Sequence, residues 1–253
     1  MDLFELSWPA VKALNRDTPV VIPIAALEQH GHHLPVFTDS LLLGEVLRRA
    51  KPELADRVLF APLYWLGNSE HHLDFPGTMT ASPRVYLDSL RDMAENFLHH
   101  GFRRIVFVNG HGGNIVPAQQ ALFELRQKYR VKSDLLLLSA TYWTLGAEPL
   151  KDVPGLKQDR MGHACEWETS MIMRLAPHLV VGDVSKVPDV QFGCAFEPAH
   201  RAWVMQDRSV PGHIGFSRHA TPEKGEGLFN CFSKAVVVML NRIVAWDGRE
   251  WDV

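Results

Sequence analysis

The first group of side chains able to do chemistry is the segment EQHGHH, residues 28–33, followed by Asp39. It comes directly after a run with the pattern of a buried strand. Glutamate, histidine and aspartate together form a mixed nitrogen and oxygen ligand set for zinc, manganese or iron. Because alternate residues of an extended segment point the same way, Glu28 and His30 are predicted to share one side of the chain. A loop of solvated histidines is the alternative interpretation.

A second group is the motif NGHGGN, residues 109–114, which also follows a predicted strand. The glycines on both sides of His111 allow the backbone to turn sharply and to approach a metal or a substrate closely. A glycine-rich turn between a strand and a helix can instead bind phosphate. The segment lacks the lysine of a Walker motif and the spacing GxGxxG, which disfavours a nucleotide site.

Two further polar segments are SEHHLDFPGT, residues 69–78, and GHACEWETS, residues 162–170. If a helix begins at Glu166, Glu168 starts a face that continues with Met171, Ile172 and Leu175. An unpaired carboxylate on that apolar face would be costly, so Glu168 is predicted to have a partner. A metal ion is one such partner, and an arginine or a backbone N–H is the alternative. Glu166 projects from a less apolar face, which better suits acid–base chemistry or a substrate contact.

The elements that would position these groups alternate along the first half of the chain. Strands are predicted over residues 20–26, 58–65, 104–108 and 135–140, with helices beginning at Thr38 as the N-cap, at Ser82-Pro83 and near Asn114. Arg48 and Arg49 suit the C-terminal end of the helix from Thr38. The alternation predicts a single three-layer α/β/α domain over residues 1–253 with a mostly parallel sheet. Ligand sites of such sheets lie at the carboxyl ends of the strands.

The long irregular segments, 146–162 and much of 183–227, are predicted to form lids, binding loops or subunit contacts.

Composition excludes several other functions. The chain has 253 residues, 46% of them hydrophobic and 22% charged, with a formal net charge of -3. It has no basic run of the kind that binds nucleic acid or an anionic membrane. The start MDLFELSW lacks the pattern of a signal peptide, and the apolar run 235–240 is too short to span a bilayer. Three scattered cysteines favour reduced thiols, so a cytoplasmic protein is expected.

The ordered set of motifs resembles the creatininase family over nearly the whole chain. The motifs are EQHGHHLPVFTD, SEHHLDFPGT, NGHGGN, HA-x-E-x-ETS and ATPEKGEG. The resemblance implies an α/β/α hydrolase with two divalent metal ions per subunit, zinc first and manganese or iron as alternatives. It also implies a homo-oligomer, often a hexamer built from dimers.

Carried over by position, the resemblance implies that Glu28 and His111 bind one metal, that His30 binds the other and that Asp39 bridges the two. It also implies that His163 handles the proton near the leaving group. Creatininase itself has a glutamate at the position of Gly113. We expect Glu168 to replace that glutamate as the fifth ligand, and Glu166 to act near His163.

The glycine at position 113 also disfavours creatinine itself as the substrate and favours the NGHGGN branch of the family. That branch includes a formamide-hydrolysing deformylase, an enzyme that matures a peptide-derived redox cofactor, and a ring-opening hydrolase of an inosose.

The expected reaction is hydrolysis of an amide-type C–N bond by a metal-activated water. The expected substrate is small and polar, and can be a cyclic amide or a formamide. Trp143 and Trp167 are candidate walls of the pocket. The alternatives are a hydrolase of a C–C bond in an oxidised cyclitol, a metal-binding homologue without activity, and a phosphate-binding module built on residues 109–114.

Overall fold

A parallel sheet forms the middle layer of the computed structural model, which describes residues 1–145, 148–193, 196 and 198–248. Within these residues the sheet has four strands in the order β2-β1-β3-β4. They are β1 (Val20–Ile24), β2 (Leu59–Phe60), β3 (Arg104–Asn109) and β4 (Leu136–Thr141). Pairing of Ile24 with Asn109, and of Asn109 with Thr141, aligns the carboxyl ends of the three longer strands.

Helices cover both faces of the sheet. The α-helices are α1 (Trp8–Ala13), α2 (Thr38–Leu54), α3 (Pro83–His99), α4 (Ile115–Lys128), α5 (Pro149–Asp152), α6 (Glu166–Leu175) and α7 (Pro222–Ala245). Helices α2, α6 and α7 pack together in one apolar core, and α3 and α4 pack in a second core on the opposite face. The predicted α/β/α fold is confirmed, and the sheet, predicted to be mostly parallel, is parallel in all its described strand pairs.

The helix from Thr38 differs from its prediction at both ends. Thr38 is not the N-cap but the first helical residue, after Phe37, and its hydroxyl donates a hydrogen bond to the carbonyl of Pro35 at 2.6 Å. The helix also continues past Arg49 to Leu54. The two arginines form ion pairs with Glu45, and Arg49 also pairs with Glu226 of α7. The second strand is shorter than predicted, with two residues in the ladder and one further bridge between Ile24 and Tyr64.

The long helix α7 lies partly within the segment predicted to be irregular. In the described part of the chain it is the one helix long and apolar enough to cross a membrane by length and composition. Its residues Leu228, Phe229, Phe232 and Val236 are fully buried in the core shared with α2 and α6. A core helix passes the same test, so this property is weak evidence for a membrane span.

Glu166 stands at the start of α6, where its carboxylate connects three segments of the chain. One oxygen accepts hydrogen bonds from the backbone N–H groups of Lys157 and Gln158 at 2.7 and 2.9 Å. The other accepts from Nζ of Lys224 in α7 at 2.7 Å, and the carboxylate is fully buried. Both oxygens of this carboxylate are thus hydrogen-bonded inside the protein. The structure gives Glu166 a structural environment and not the substrate-facing position expected of it.

Glu166→Gln is expected to lower the free energy of unfolding by about 3 kcal/mol, because it leaves the Lys224 ammonium partly buried without a counter-charge. Urea denaturation followed by circular dichroism measures this change. Glu148→Gln is the matched control, since the exposed pair of Glu148 with Lys151 contributes little to stability. A Glu166→Gln variant of unchanged stability and lost activity would return this residue to a catalytic role.

Candidate metal site

A cavity of about 520 Å³ opens at the carboxyl ends of β1 and β3. Its floor contains the acidic and histidine side chains of the sequence motifs, and its wall is aromatic and apolar. Among its lining residues are Glu28, Asp39, His71, His72, His111, Trp143, His163, Glu168, Phe192, Trp203 and Arg208. The cavity therefore gives solvent and small molecules access to the groups that could bind metal.

Four different elements bring the predicted ligands to this floor. Glu28 and His30 follow β1, and His111 follows the adjacent strand β3. Asp39 lies in the first turn of α2, and Glu168 lies in the first turn of α6. All five side chains are at least 94% buried. Residues up to 140 positions apart in the chain thus meet because parallel strands end on the same edge of the sheet.

The distances define two adjacent groups that share Asp39. On one side, Nδ1 of His111 lies 3.4 Å from Oε1 of Glu28 and 3.0 Å from Oδ2 of Asp39. On the other side, Nε2 of His30 lies 3.2 Å from Oδ1 of Asp39 and 3.8 Å from Oε1 of Glu168. Each oxygen of Asp39 therefore faces a different histidine. This is the arrangement that a carboxylate bridging two cations would have.

The donor atoms of this group fit a divalent metal. Both carboxylate oxygens of Glu28, Oδ2 of Asp39 and Nε2 of His30 are buried and accept or donate no hydrogen bond among the described residues. Glu28, His30 and Asp39 offer ligand atoms within 4.8 Å of one another, as do Glu28, His71 and His111. Buried polar atoms without partners are costly, and a cation coordinated by them removes that cost.

The hydrogen bonds of the two histidines turn the second ring nitrogen of each towards the carboxylates. Nδ1 of His30 donates to the carbonyl of Glu28 at 3.0 Å, which leaves Nε2 facing Asp39. Nε2 of His111 donates to the carbonyl of Asn68 at 3.1 Å, which leaves Nδ1 facing Glu28 and Asp39. Metal-binding histidines commonly donate their other N–H to a backbone carbonyl in this way.

Charge and burial shift the pKa values of these groups in consistent directions. Burial raises the pKa of Glu28 to about 7, against the opposing effect of His111. Burial alone would lower the pKa of His111, but Glu28 and Asp39 raise it to about 9. Burial likewise opposes the proton on His30, yet Asp39 and Glu168 raise its pKa well above the usual value. The pKa of Asp39 is lowered because His30 and His111 outweigh its burial. Together, these pKa shifts mean that the carboxylates of Glu28 and Asp39 favour a positive charge beside them.

Gln29 and His72 were not predicted as site residues, and their hydrogen bonds assign them an orienting role. Oε1 of Gln29 accepts from the N–H of Gly31 at 2.8 Å, and Nε2 donates to the carbonyl of Gly212 at 2.8 Å. The remaining amide proton points to Nδ1 of His72 at 2.7 Å. His72 therefore carries its proton on Nε2, which faces Oε1 of Glu28 at 3.5 Å. Only the sequence position of Gln29 between two ligands could have indicated this role.

His163 approaches the same carboxylate from the other side of the cavity. Its Nε2 donates to the carbonyl of Gln29 at 2.7 Å, so Nδ1 is unprotonated and lies 3.4 Å from Oε1 of Glu28. Burial, followed by the positive charge of His30, lowers the pKa of His163 well below its usual value. A neutral imidazole with a free lone pair thus faces the floor of the cavity, where it can accept a proton or bind a metal.

The resemblance places Gly113 where creatininase has a glutamate, and the structure leaves no room for a side chain there. A Cβ atom at Gly113 would lie 2.5 Å from Nε2 of His111 and closer still to the carbonyl oxygen of Asn68. Glu168 is present instead near His30, held by a hydrogen bond from the N–H of Cys165 at 3.3 Å. The carboxylate on the His30 side is therefore supplied by α6.

The asparagine side chains of the NGHGGN turn form hydrogen bonds that stabilise the turn. Asn109 accepts from the N–H of His111 at 3.0 Å and donates to the carbonyl of the same residue at 2.7 Å. Asn114 donates to the carbonyl of Ala25 and accepts from the N–H of Asn68, both at 2.9 Å. These bonds fix His111 against the neighbouring strand end. The side-chain amides of both asparagines are therefore used within the protein.

Two predicted residues lie away from the cavity. Glu166 does not line it, and Trp167 is buried in the core against Phe232. Trp143 does line it, as expected of a pocket wall.

Comparison with known proteins gives a family and several relatives. The family described as Creatininase, creatinine amidohydrolase, matches residues 4–240. A mycofactocin precursor peptide peptidase of Mycobacterium tuberculosis is 34% identical over 241 residues, covering 90% of this chain and 85% of the relative. Creatinine amidohydrolase of Pseudomonas putida is 29% identical over 239 residues, covering 88% and 89%. A solved mutant creatininase of the Zn-Zn type is 27% identical, with a TM-score of 0.75 over 95% of this chain and 97% of the other.

The family match covers most of the chain and includes every motif of the site, from the EQHGHH segment to the helix that carries Glu168. The solved relative has the same fold over nearly its whole length. The substrates named for the two curated relatives differ, one being creatinine and the other a precursor peptide. These relatives therefore share a scaffold and not one substrate. The chain belongs to the creatininase family of amidohydrolases.

Proposed function

We propose that this chain is a metal-dependent amidohydrolase that cleaves an amide-type C–N bond with two divalent ions in its cavity. The observation that carries the proposal is the group of buried, unpartnered ligand atoms of Glu28, His30 and Asp39 at the floor of an open cavity. A solved relative described as the Zn-Zn type and another described as the Mn form support divalent ions. Zinc is the first choice, with manganese or iron as alternatives.

In the proposed assignment, Glu28, His111 and Asp39 would hold the first ion, and His30, Glu168 and Asp39 would hold the second. The assignment rests on which atoms face each other across the floor, and on the histidine ring nitrogens that their backbone hydrogen bonds turn towards the carboxylates. The hydrogen bonds of Gln29 orient His72, whose Nε2 faces Oε1 of Glu28 at 3.5 Å.

When bound, the ions supply Lewis-acid activation of water and of the substrate carbonyl. The chain's own residues supply the rest of the reaction. Nδ1 of His163 accepts a proton and passes it to the departing nitrogen, a transfer typically worth about 10²–10⁴ in rate. Trp143 and Phe192 form part of the cavity wall against which the substrate would lie. Hydrolysis then gives a carboxylic acid and an amine.

We propose a small, polar amide as the substrate, such as a formamide, a cyclic amide or a short peptide. The cavity of about 520 Å³ is of the size that holds a small molecule or a peptide end. Creatinine is disfavoured because this chain has Gly113, with no room for a side chain, where the resemblance places a glutamate of creatininase. The cytoplasmic location, the homo-oligomeric assembly and the single-domain organisation stay predictions.

The test is turnover by the metal-loaded protein against formamides, cyclic amides including creatinine, short peptides and inososes. Amine release at neutral pH from one of the amide classes, abolished by a chelator and restored by zinc or manganese, is the expected result. Ring opening of an inosose alone would assign the C–C hydrolase alternative. Stoichiometric metal binding with no turnover in any class would assign the metal-binding homologue without activity.

The bridging role of Asp39 predicts a specific pattern of metal content. Asp39→Asn is expected to lose more than one ion per subunit, because a neutral amide bridges two cations poorly. His30→Ala and Glu168→Gln are each expected to empty mainly the second site. Metal content after gel filtration, measured by inductively coupled plasma mass spectrometry, gives these values. Equal losses in Asp39→Asn and His30→Ala would argue against a bridge, and two retained ions with full activity in Glu168→Gln would remove Glu168 from the ligands.

The proton-transfer role of His163 predicts a separation of rate from metal binding. His163→Ala is expected to lower kcat by about 10²-fold or more while metal content stays near normal. Metal content and steady-state kinetics are measured on the same preparation. Loss of an ion would make His163 a ligand, and an unchanged kcat would make it a structural residue.

A further inference from the structure

Arg208 is the one arginine or lysine that lines the cavity within the described residues. The other charged side chains of the lining are the acidic ligand candidates Glu28, Asp39 and Glu168 at the floor. The role of Arg208 therefore depends on whether its guanidinium already has a partner inside the protein.

The guanidinium of Arg208 has no acidic partner in the part of the chain that the structure describes. No ion pair or side-chain hydrogen bond of Arg208 occurs there, whereas Arg218 in the same half of the chain pairs with Asp189. The neighbouring Asp207 is already used, since its carboxylate accepts a hydrogen bond from the N–H of Val204 at 3.0 Å. The five N–H donors of the Arg208 fork thus remain available to a ligand.

Contacts through the rings of Trp203 and His71 nevertheless place Arg208 relative to the metal site. Its Cζ lies 5.1 Å from the ring centroid of Trp203, within the range of a cation–π interaction. Trp203 meets His71 edge to face with centroids 5.0 Å apart, and His71 stacks on His111 at 5.8 Å. A continuous row of rings therefore connects the guanidinium to a ligand of the first proposed ion.

The backbone around Arg208 is anchored although the side chain is exposed. Arg208 ends a short 3-10 helix over Met205–Asp207, and its N–H donates to the carbonyl of Met205 at 3.0 Å. Met205 is fully buried and Ser209 is 5% exposed, so buried residues fix the chain on both sides of Arg208. Stacking on Trp203 leaves the edges of the planar fork free to bind an anion.

We infer that Arg208 binds an anionic group of the substrate, a carboxylate or a phosphate, at the wall of the cavity while the amide carbonyl lies at the floor. The inference rests on the proposed amidohydrolase function and makes it more specific, since it selects amides that carry a negative charge. A guanidinium fork forms paired, charge-assisted hydrogen bonds with either anion. The substrate class is thus an N-acyl amino acid, a peptide end or an acylamino phosphate.

The test compares two pairs of probes that differ only in charge. N-formylglycine is paired with N-formylglycinamide for the carboxylate, and N-formylethanolamine phosphate with N-formylethanolamine for the phosphate. Dissociation constants for the metal-loaded protein are measured by calorimetry, or KM where a probe is hydrolysed. The variants are Arg208→Gln and Arg208→Lys. Arg201→Gln is the control, because Arg201 is exposed in the same segment but does not line the cavity.

The expected result is that one anionic probe binds about tenfold more tightly than its neutral partner. The pair that shows the preference identifies a carboxylate or a phosphate. Arg208→Gln should abolish the preference, Arg208→Lys should keep part of it, and Arg201→Gln should keep all of it. No preference in the unaltered protein, including no binding of either anion, overturns the inference. A preference that survives in Arg208→Gln also overturns it, because the anion then binds the metal ions directly.

Failure of the inference and failure of the proposed function give different results. Hydrolysis of neutral and charged amides with equal KM would leave the amidohydrolase function standing and remove Arg208 as the anion site. An Arg208-dependent preference in binding, with no hydrolysis of any amide, would leave the anion site standing and remove the proposed reaction.

Discussion

The cost of burying Glu28 and Asp39 beside each other, without hydrogen bonds to their facing oxygens, governs the rest of the site. Two carboxylates in a buried position repel each other unless a positive charge lies between them. His30 and His111 supply that charge as protons in the free protein, and their raised pKa values express the same attraction that a metal ion would satisfy. Repulsion between the buried carboxylates at the cavity floor therefore disfavours the free site, and a bound cation would offset this repulsion.

The parallel sheet brings these charged side chains together at one of its edges. Adjacent strands β1 and β3 end at one edge, so the backbone segments that follow them meet without a long excursion. The N-terminal turns of α2 and α6 reach the same point, where unpaired N–H groups and the helix dipole favour the carboxylates of Asp39 and Glu168. Two apolar cores on opposite faces of the sheet hold the helices and strands that carry these segments in position.

Around the floor, backbone carbonyls and one glutamine set the proton positions of the histidines. His30, His111 and His163 each donate one N–H to a backbone carbonyl, which fixes the orientation of the second ring nitrogen. Gln29 fixes His72 because both ends of its amide are already bound to backbone groups. In this chain the main chain thus specifies the orientation of the histidine rings at the floor.

The sequence by itself determined the α/β/α class and the positions of β1, β3 and β4, because local periodicity depends on near neighbours. The order of its motifs indicated a family, and that resemblance, together with the residue types, marked the set Glu28, His30, Asp39, His111, His163 and Glu168 that meets at the floor. Only the tertiary structure decided that Glu166 binds Lys224 instead of facing the cavity, since residues 58 positions apart in the chain must first be packed together. It also decided the roles of Gln29 and His72, and the placement of Arg208 on Trp203, which lies in a segment without periodicity. Such contacts depend on distances between segments that are remote in the chain, and no local pattern encodes them.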